Sequence, residues 1–216
     1  MNSTPLQGEK RAPGKPKEIS GQKLLIGEGT DDAYFFRAFV KHLQLDDIQV
    51  LDYAGKSNLS EFIKSLPVLP GFGQLRSIGI TRDADTDAAA AFQSIRDALE
   101  RASLPVPLCL AKVAAGTPNV SVFILPNCKD PGMLEDLCIE SIKSKPEWVC
   151  VDAFFDCVER QMKRRPKPST MSKARTRVWL TTCDEPDKLI GQAAEAGYWE
   201  WTHPAFSSLE SFVRGL

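Results

Sequence analysis

Four short apolar runs, each followed by a segment of helical periodicity, restrict this chain more than any other feature. Lys23 to Gly27, Ile48 to Tyr53, Ser77 to Thr81 and Val120 to Leu125 have strand length, while Asp31 to Leu43 places Phe35, Phe36, Phe39, Val40 and Leu43 on one helical face. Leu59 to Leu66 and Ala88 to Ala102 repeat the helical pattern after the second and third runs. Strands alternating with helices predict an α/β fold with a mostly parallel central sheet, right-handed crossovers and helices on its faces. Val120 to Leu125, apolar almost throughout, reads as a strand buried on both faces.

After Pro126 the character changes. Met133 to Ile142, Trp148 to Met162, Lys173 to Leu180 and Lys188 to Ala196 all favour helix, and Trp199, Trp201, Pro204 and Phe206 are expected to dock a last helix, Leu209 to Val213, on the sheet. Residues 1–20 hold three prolines, two glycines and four Lys/Arg with almost no apolar periodicity, the composition of a mobile tail. One domain is therefore expected over residues 21–216, with its core at about 23–140 and a helical C-terminal extension at about 141–216.

Charge alone nominates no partner: 27 Lys/Arg against 28 Asp/Glu leave a net charge of -1 and no global attraction for polyanions. One local candidate exists, an acid-free stretch of eight basic residues from Arg160 to Arg177. Within it Arg164, Arg165, Lys173, Arg175 and Arg177 are the residues expected to meet nucleic-acid phosphates, against the alternative of a solvated helix end and loop broken by Pro166 and Pro168. The six cysteines contain no C-x-x-C pair and several fall in apolar segments, which predicts buried free thiols. No run approaches the roughly 18 apolar residues of a membrane span, and none resembles a signal peptide. The expectation is a protein of the reducing cytoplasm that contacts no membrane.

Two acidic signatures sit where strands are predicted to end. Gly27-Glu28-Gly29-Thr30-Asp31-Asp32 follows the first run and Asp83-Ala84-Asp85-Thr86-Asp87 the third. Carboxylates at the carboxyl ends of parallel strands share one crevice, where ligands of open α/β sheets bind. Two like charges about 4 Å apart near a surface repel by roughly 4 kcal/mol, so a cation must bind or a pKa must rise. Helix capping accounts for Thr30-Asp31-Asp32 and for Asp85-Thr86-Asp87, but Glu28 and Asp83 precede the caps and need another reason.

Better-known motifs fail on these residues. An EF-hand loop from Asp83 would place glycine and glutamate where Ala88 and Ser94 stand. A Walker A loop ending at Gly55-Lys56-Ser57 would need glycine where the chain has Val50, and a dinucleotide fingerprint from Gly27 meets Asp32 at its third glycine. With only His42 and His203 present, no Ser-His-Asp or Cys-His arrangement can be argued from spacing.

A glutamate after the first strand and an Asp-x-Asp after a later one resemble the Toprim domain of topoisomerases, primases and small nucleases, a Rossmann-like fold, over about Lys23 to Leu125. Pro131-Gly132-Met133-Leu134-Glu135-Asp136-Leu137 is similar to a segment of stand-alone Toprim-like proteins related to the overcoming-lysogenization-defect nucleases. The resemblance implies general acid/base chemistry at Glu28, a metal pair at Asp83 and Asp85 with Asp32 as a further metal-site acid, and Glu135 and Asp136 as contributors to a second metal, against the alternative that Leu134-Glu135-Asp136-Leu137 is an ordinary helix beginning. Lys56, a cation near that site, is a candidate catalytic residue that meets a phosphate, or else it merely ends a turn. The implied cofactor is Mg2+ or Mn2+ and the implied reaction phosphodiester hydrolysis or related phosphoryl transfer. Topoisomerase chemistry is excluded, because no separate domain bearing a nucleophilic tyrosine fits in the chain, and Tyr34, Tyr53 and Tyr198 read as core residues. Two readings stay open: a metal-dependent nuclease, and a non-catalytic module that binds protein or nucleic acid. A phosphatase of the haloacid dehalogenase type is weaker, since its Asp-x-Asp normally follows the first strand.

Overall fold

A computed structural model describes residues 18–216. Its centre is a four-stranded sheet, β1 (Lys23–Gly27), β2 (Ile48–Asp52), β3 (Ser77–Asp83) and β4 (Asn119–Leu125), in the order β2-β1-β3-β4 with every neighbouring pair parallel. α1 (Thr30–His42) returns β1 to β2 on one side, and α2 (Leu59–Ser65) leads to β3 on the other side of β1. α3 (Ala88–Arg101) connects β3 to β4. The order therefore reverses between β1 and β3, and their carboxyl ends flank the crevice that such a reversal opens.

Alternation along the strands sorts the core into two layers. Leu24, Ile26, Ile78, Ile80, Val120, Val122 and Ile124 pack against α2 and α3. Leu25, Val50, Phe123 and Leu125 face α1 and the C-terminal helices. These are α4 (Leu134–Ile142), α5 (Trp148–Met162), α6 (Pro168–Leu180), α7 (Ile190–Glu195) and α8 (Ser207–Arg214). On this second face β3 presents Ser77, Gly79 and Thr81 before Asp83, and their shortness leaves room for the chain end: Ser77 Oγ donates to the Leu216 carbonyl at 2.8 Å, and Phe212 meets Phe123 at 5.3 Å between ring centroids.

The expected α/β sheet with a helical C-terminal part is thus what the chain forms, with informative departures. β3 runs on to Asp83, so the first aspartate of the Asp-x-Asp is the last residue of the strand. α6 starts at Pro168, earlier than Lys173, because a proline costs nothing in a first helical turn. Trp199, Trp201 and Phe206 do not seat α8 on the sheet. Trp201 packs on Phe35 and Phe39 of α1 at 5.3 and 5.2 Å, and Trp199 stacks on Trp179 of α6 at 5.1 Å. Each such aromatic pair contributes about 0.5–1.5 kcal/mol beyond area burial, so these rings bind helix to helix.

The mobile tail expected at residues 1–20 falls, for residues 1–17, outside the described residues. Ile19 is buried, and its amide donates to the Pro70 carbonyl at 2.9 Å, so the packed chain includes residues before Gly21. Of the six cysteines only Cys138 is buried; Cys150 and Cys157 lie on the solvent face of α5, which departs from the expectation of buried thiols. Tyr34 is likewise exposed, with Arg37 against its ring.

Candidate functional site

Glu28 leaves β1 in the turn to α1, where the Gly29 amide donates to Asp32 Oδ2 at 3.0 Å. Asp32 thus caps the helix that it belongs to while standing beside the end of β1. Across the reversal point, Asp83 points to the same face as α1, and its Oδ1 accepts from the Leu134 amide at 3.0 Å, the first residue of α4. Glu135 follows directly on that helix. One strand-end aspartate therefore draws in a helix 51 residues away in sequence and with it a fourth acid.

The charges confirm the convergence. Burial pushes the Asp83 carboxyl well above its ordinary value, and the charges of Asp32, Glu135 and Glu28 push it further, against the Leu134 N–H. Asp32 is pushed up to about 6, first by burial and then by Glu28, Glu135 and Asp31, against the Gly29 N–H. Glu135 is raised by burial and held back by the Lys173 charge. Four carboxylates, Glu28, Asp32, Asp83 and Glu135, thus share one partly desolvated crevice. As they stand, however, no three Asp, Glu, His or Cys side chains among the described residues lie close enough to hold one metal ion.

The remaining acids of the two signatures have other partners. Asp85 adopts a left-handed backbone (φ 52°), exchanges both backbone hydrogen bonds with Gly132 at 2.8 Å, and pairs through Oδ2 with Lys56 Nζ at 2.8 Å. Lys56 is brought there because the Gly55 amide donates to the Glu28 carbonyl at 2.8 Å, which folds the turn after β2 over the end of β1. Asp85 raises the Lys56 pKa by this hydrogen bond. Asp87 is the cap of α3, accepting from the Ala89 and Ala90 amides. Asp136 accepts from the Met133 amide and from Ser172 Oγ, so its carboxylate holds α4 to α6 outside the group of four. Gly132 is required between them: its φ is 138°, and a Cβ there would lie 2.8 Å from Asp136 Oδ2.

Three further residues around the site have partners that no motif reports. Tyr53, expected in the core, is buried, yet its hydroxyl reaches Glu28 Oε2 at 3.4 Å. Arg82 points away from Asp83, as alternation demands, and donates to Ser94 on α3 at 2.7 Å. Asp31 accepts from the Gly191 amide at 2.9 Å and ties α7 to α1. Only tertiary contact distinguishes these residues from ordinary core and helix positions.

The basic stretch does not form one surface. Arg165 pairs with Asp156 and Glu159 of α5, Arg175 pairs with Asp152, and Arg164 is exposed. Lys173 and Arg177, one helical turn apart, face the other way; burial raises the Asp31 carboxyl, and their charges, after the Gly191 and Ile190 amides, oppose that rise. No helix of the described residues is long and apolar enough to cross a membrane.

Residues 22–216 match the family described as "Protein of unknown function (DUF3226)", and the chain belongs to that family. Among solved structures it is similar to three of the C-terminal region of the Xanthomonas campestris pv. campestris OLD protein. Those phased with mercury, iodine and platinum share 13%, 15% and 14% identity with TM-scores of 0.47, 0.45 and 0.43. The alignments cover 91%, 91% and 90% of this chain and 97%, 96% and 93% of the others. No curated protein matches the sequence.

Proposed function

We propose that the protein is a phosphodiesterase of the Toprim type acting on nucleic acid with a hard divalent cation, Mg2+ or Mn2+. The observation that carries this reading is the convergence of Glu28, Asp32, Asp83 and Glu135 at the ends of β1 and β3, where the strand order reverses. A crevice that raises the carboxyls of Asp32, Asp83 and Glu135 has no structural use for the repulsion, and an all-oxygen donor set suits a hard cation better than a soft one.

Glu28, Asp83 and Glu135 would hold the ion with Asp32 in support, and Asp85 would join them on release from Lys56. The bound ion supplies charge stabilisation at the phosphoryl oxygens and a more acidic water. Glu28 stands at the strand end with one carboxylate oxygen toward Tyr53 and can accept a proton from an attacking water. Lys56, exposed and tethered only to Asp85, can turn to a phosphate oxygen of the substrate. Lys173 and Arg177 line the approach on one side, while Arg164 offers a more distant phosphate contact; Arg175 acts by fixing α5 to α6, and Arg165 by holding the segment between them to α5.

A second reading has its own support. Asp32 and Asp83 each accept a backbone N–H, Asp85 is paired, and no three ligating side chains among the described residues meet at one point. These features suit a non-catalytic module that binds nucleic acid or protein with the crevice closed. Incubation with single- and double-stranded DNA and RNA in Mg2+ or Mn2+ separates the two. Cleavage that Glu28→Gln and Asp83→Asn abolish supports the enzyme, whereas wild-type protein that binds strands but neither cleaves them nor takes up Mn2+ in a calorimetric titration rejects it.

A further inference from the structure

Beside the carboxylate crevice, α6 and the segment entering α7 enclose a cavity of about 60 Å3. Lys173, Thr176 and Arg177 line it from one face of α6, at the three- and four-residue spacing that aligns side chains on a helix, and Lys188 closes it from the other wall. The Lys173 and Arg177 side chains form no hydrogen bond or ion pair with another described residue, and the Lys188 ammonium pairs with Glu185, at 3.1 Å. Thr176 is 2% exposed, and its Oγ1 is buried with no hydrogen-bond partner. A buried hydroxyl left unpaired costs about 1–3 kcal/mol, and a polar guest in the cavity that Thr176 lines would offset that cost. Asp31 and Glu135 also line the cavity, but Asp31 is spent on the Gly191 amide and Glu135 belongs to the crevice next door. With Lys188 answered by Glu185, Lys173 and Arg177 are the cations of the lining whose side chains have no ion pair among the described residues.

We propose that this cavity is a subsite for the terminal phosphate of a nucleic-acid strand, set beside the reacting crevice. Its volume is that of about two water molecules, enough for one phosphate group and too little for a sugar or base. An internal phosphodiester would need two exits for its ester arms, whereas a terminal monoester needs one. A monoester also brings close to two negative charges, which suits a lysine, an arginine and a hydroxyl in one pocket. The inference deepens the phosphodiesterase reading and rests on it for the identity of the strand, while the anion site itself can be tested alone.

The full chain, without divalent metal, is titrated with inorganic phosphate by calorimetry and 31P NMR. Wild type binds; Arg177→Gln and Thr176→Val each weaken binding about tenfold, one charge-assisted or buried hydrogen bond apiece, and Arg101→Gln, on α3 outside the cavity, leaves it unchanged. Absent binding in the wild type, or equal binding in all four proteins, overturns the proposal. Thr176→Val keeps the packed volume, and Lys173→Gln, an exposed position, replaces either variant that fails to fold. Strands of one sequence ending in 5′-phosphate, 3′-phosphate or hydroxyl groups then compete with inorganic phosphate. Displacement by one phosphorylated end and not by the hydroxyl strand supports a terminal-phosphate site; equal displacement by the hydroxyl strand overturns it in favour of a backbone contact. Absence of cleavage alongside intact phosphate binding would remove the catalytic reading and leave the subsite standing.

Discussion

The two charged regions of this molecule treat like charges in opposite ways. In the crevice, acids from three stretches of chain come together, Glu28 and Asp32 from the first, Asp83 from the second and Glu135 from the third, and burial raises the carboxyls of Asp32, Asp83 and Glu135. In the α5–α6 region, eight basic residues that are neighbours in sequence are spread over two helices and the segment between them, and two, Arg165 and Arg175, are answered by acids of α5. Proximity along the chain therefore predicts little about proximity in space for charges on helices. Strand ends behave differently, because neighbouring parallel strands finish at the same level.

The sharpest way to break this contrast is catalytic. Glu28→Gln and Asp83→Asn should each reduce metal-dependent cleavage by about a thousandfold, the scale of losing a positioned proton-transfer group or metal ligand, whereas Arg165→Gln should leave the turnover rate within about twofold. Steady-state rates on one oligonucleotide measure both, and comparable losses in all three would erase the distinction.

Next in size is the joint between the regions. α7 approaches α1 so closely that a Cβ on Gly191 would lie 2.3 Å from the Asp31 carbonyl oxygen. Gly191→Ala should cost about 3 kcal/mol by urea denaturation, the upper end of overpacking, and should weaken phosphate binding with it. An alanine variant of unchanged stability would mean that α7 is free to shift.

The crevice should also be less stable than it would be without its charges. Asp32 has its folded pKa raised from 3.8 to about 6, so its contribution is fully present below pH 3.8 and is lost as the pH rises through about 6. Asp32→Asn keeps an acceptor for the Gly29 amide and removes the buried charge. It should gain about 2 kcal/mol at pH 8 and show no gain at pH 4, measured by urea melts at the two values. A destabilised variant at pH 8 would show that the neighbouring acids do not strain this position.

The smallest expected effect lies on the basic side. Arg165, about one third exposed and bridging Asp156 and Glu159, should contribute less than about 1 kcal/mol, and Arg165→Gln should lose even that at high salt. A loss several times larger would mean that this guanidinium, holding the segment before α6 to α5, matters more than the buried Val151, Phe155 and Trp179.

Most of the sheet was legible because its signal is local. β1 and α5 fall on their expected bounds, and the phenylalanines of α1 are buried on the face that their spacing marks. Glu28 and Asp83 stood out because capping could not explain them. Asp85 was less legible: its partner Lys56 and its bridge to Gly132 come from other parts of the chain, and no local pattern reports a left-handed aspartate pairing with a lysine across the crevice. Tyr53 looked like any core tyrosine, and Asp31 like any first-turn acid.

By itself the sequence determined the alternation of strands and helices, the apolar faces that sort into two layers, and the acids that end β1 and β3. Those follow from periodicities of two and 3.6 residues and from steric limits acting within a few positions. Tertiary structure alone decided which acids share a crevice, which bases are already paired, and that Thr176 is left with a buried, unanswered hydroxyl beside Lys173 and Arg177. Coulomb energy and hydrogen bonding depend on distance through space, and that distance exists only once the helices have packed.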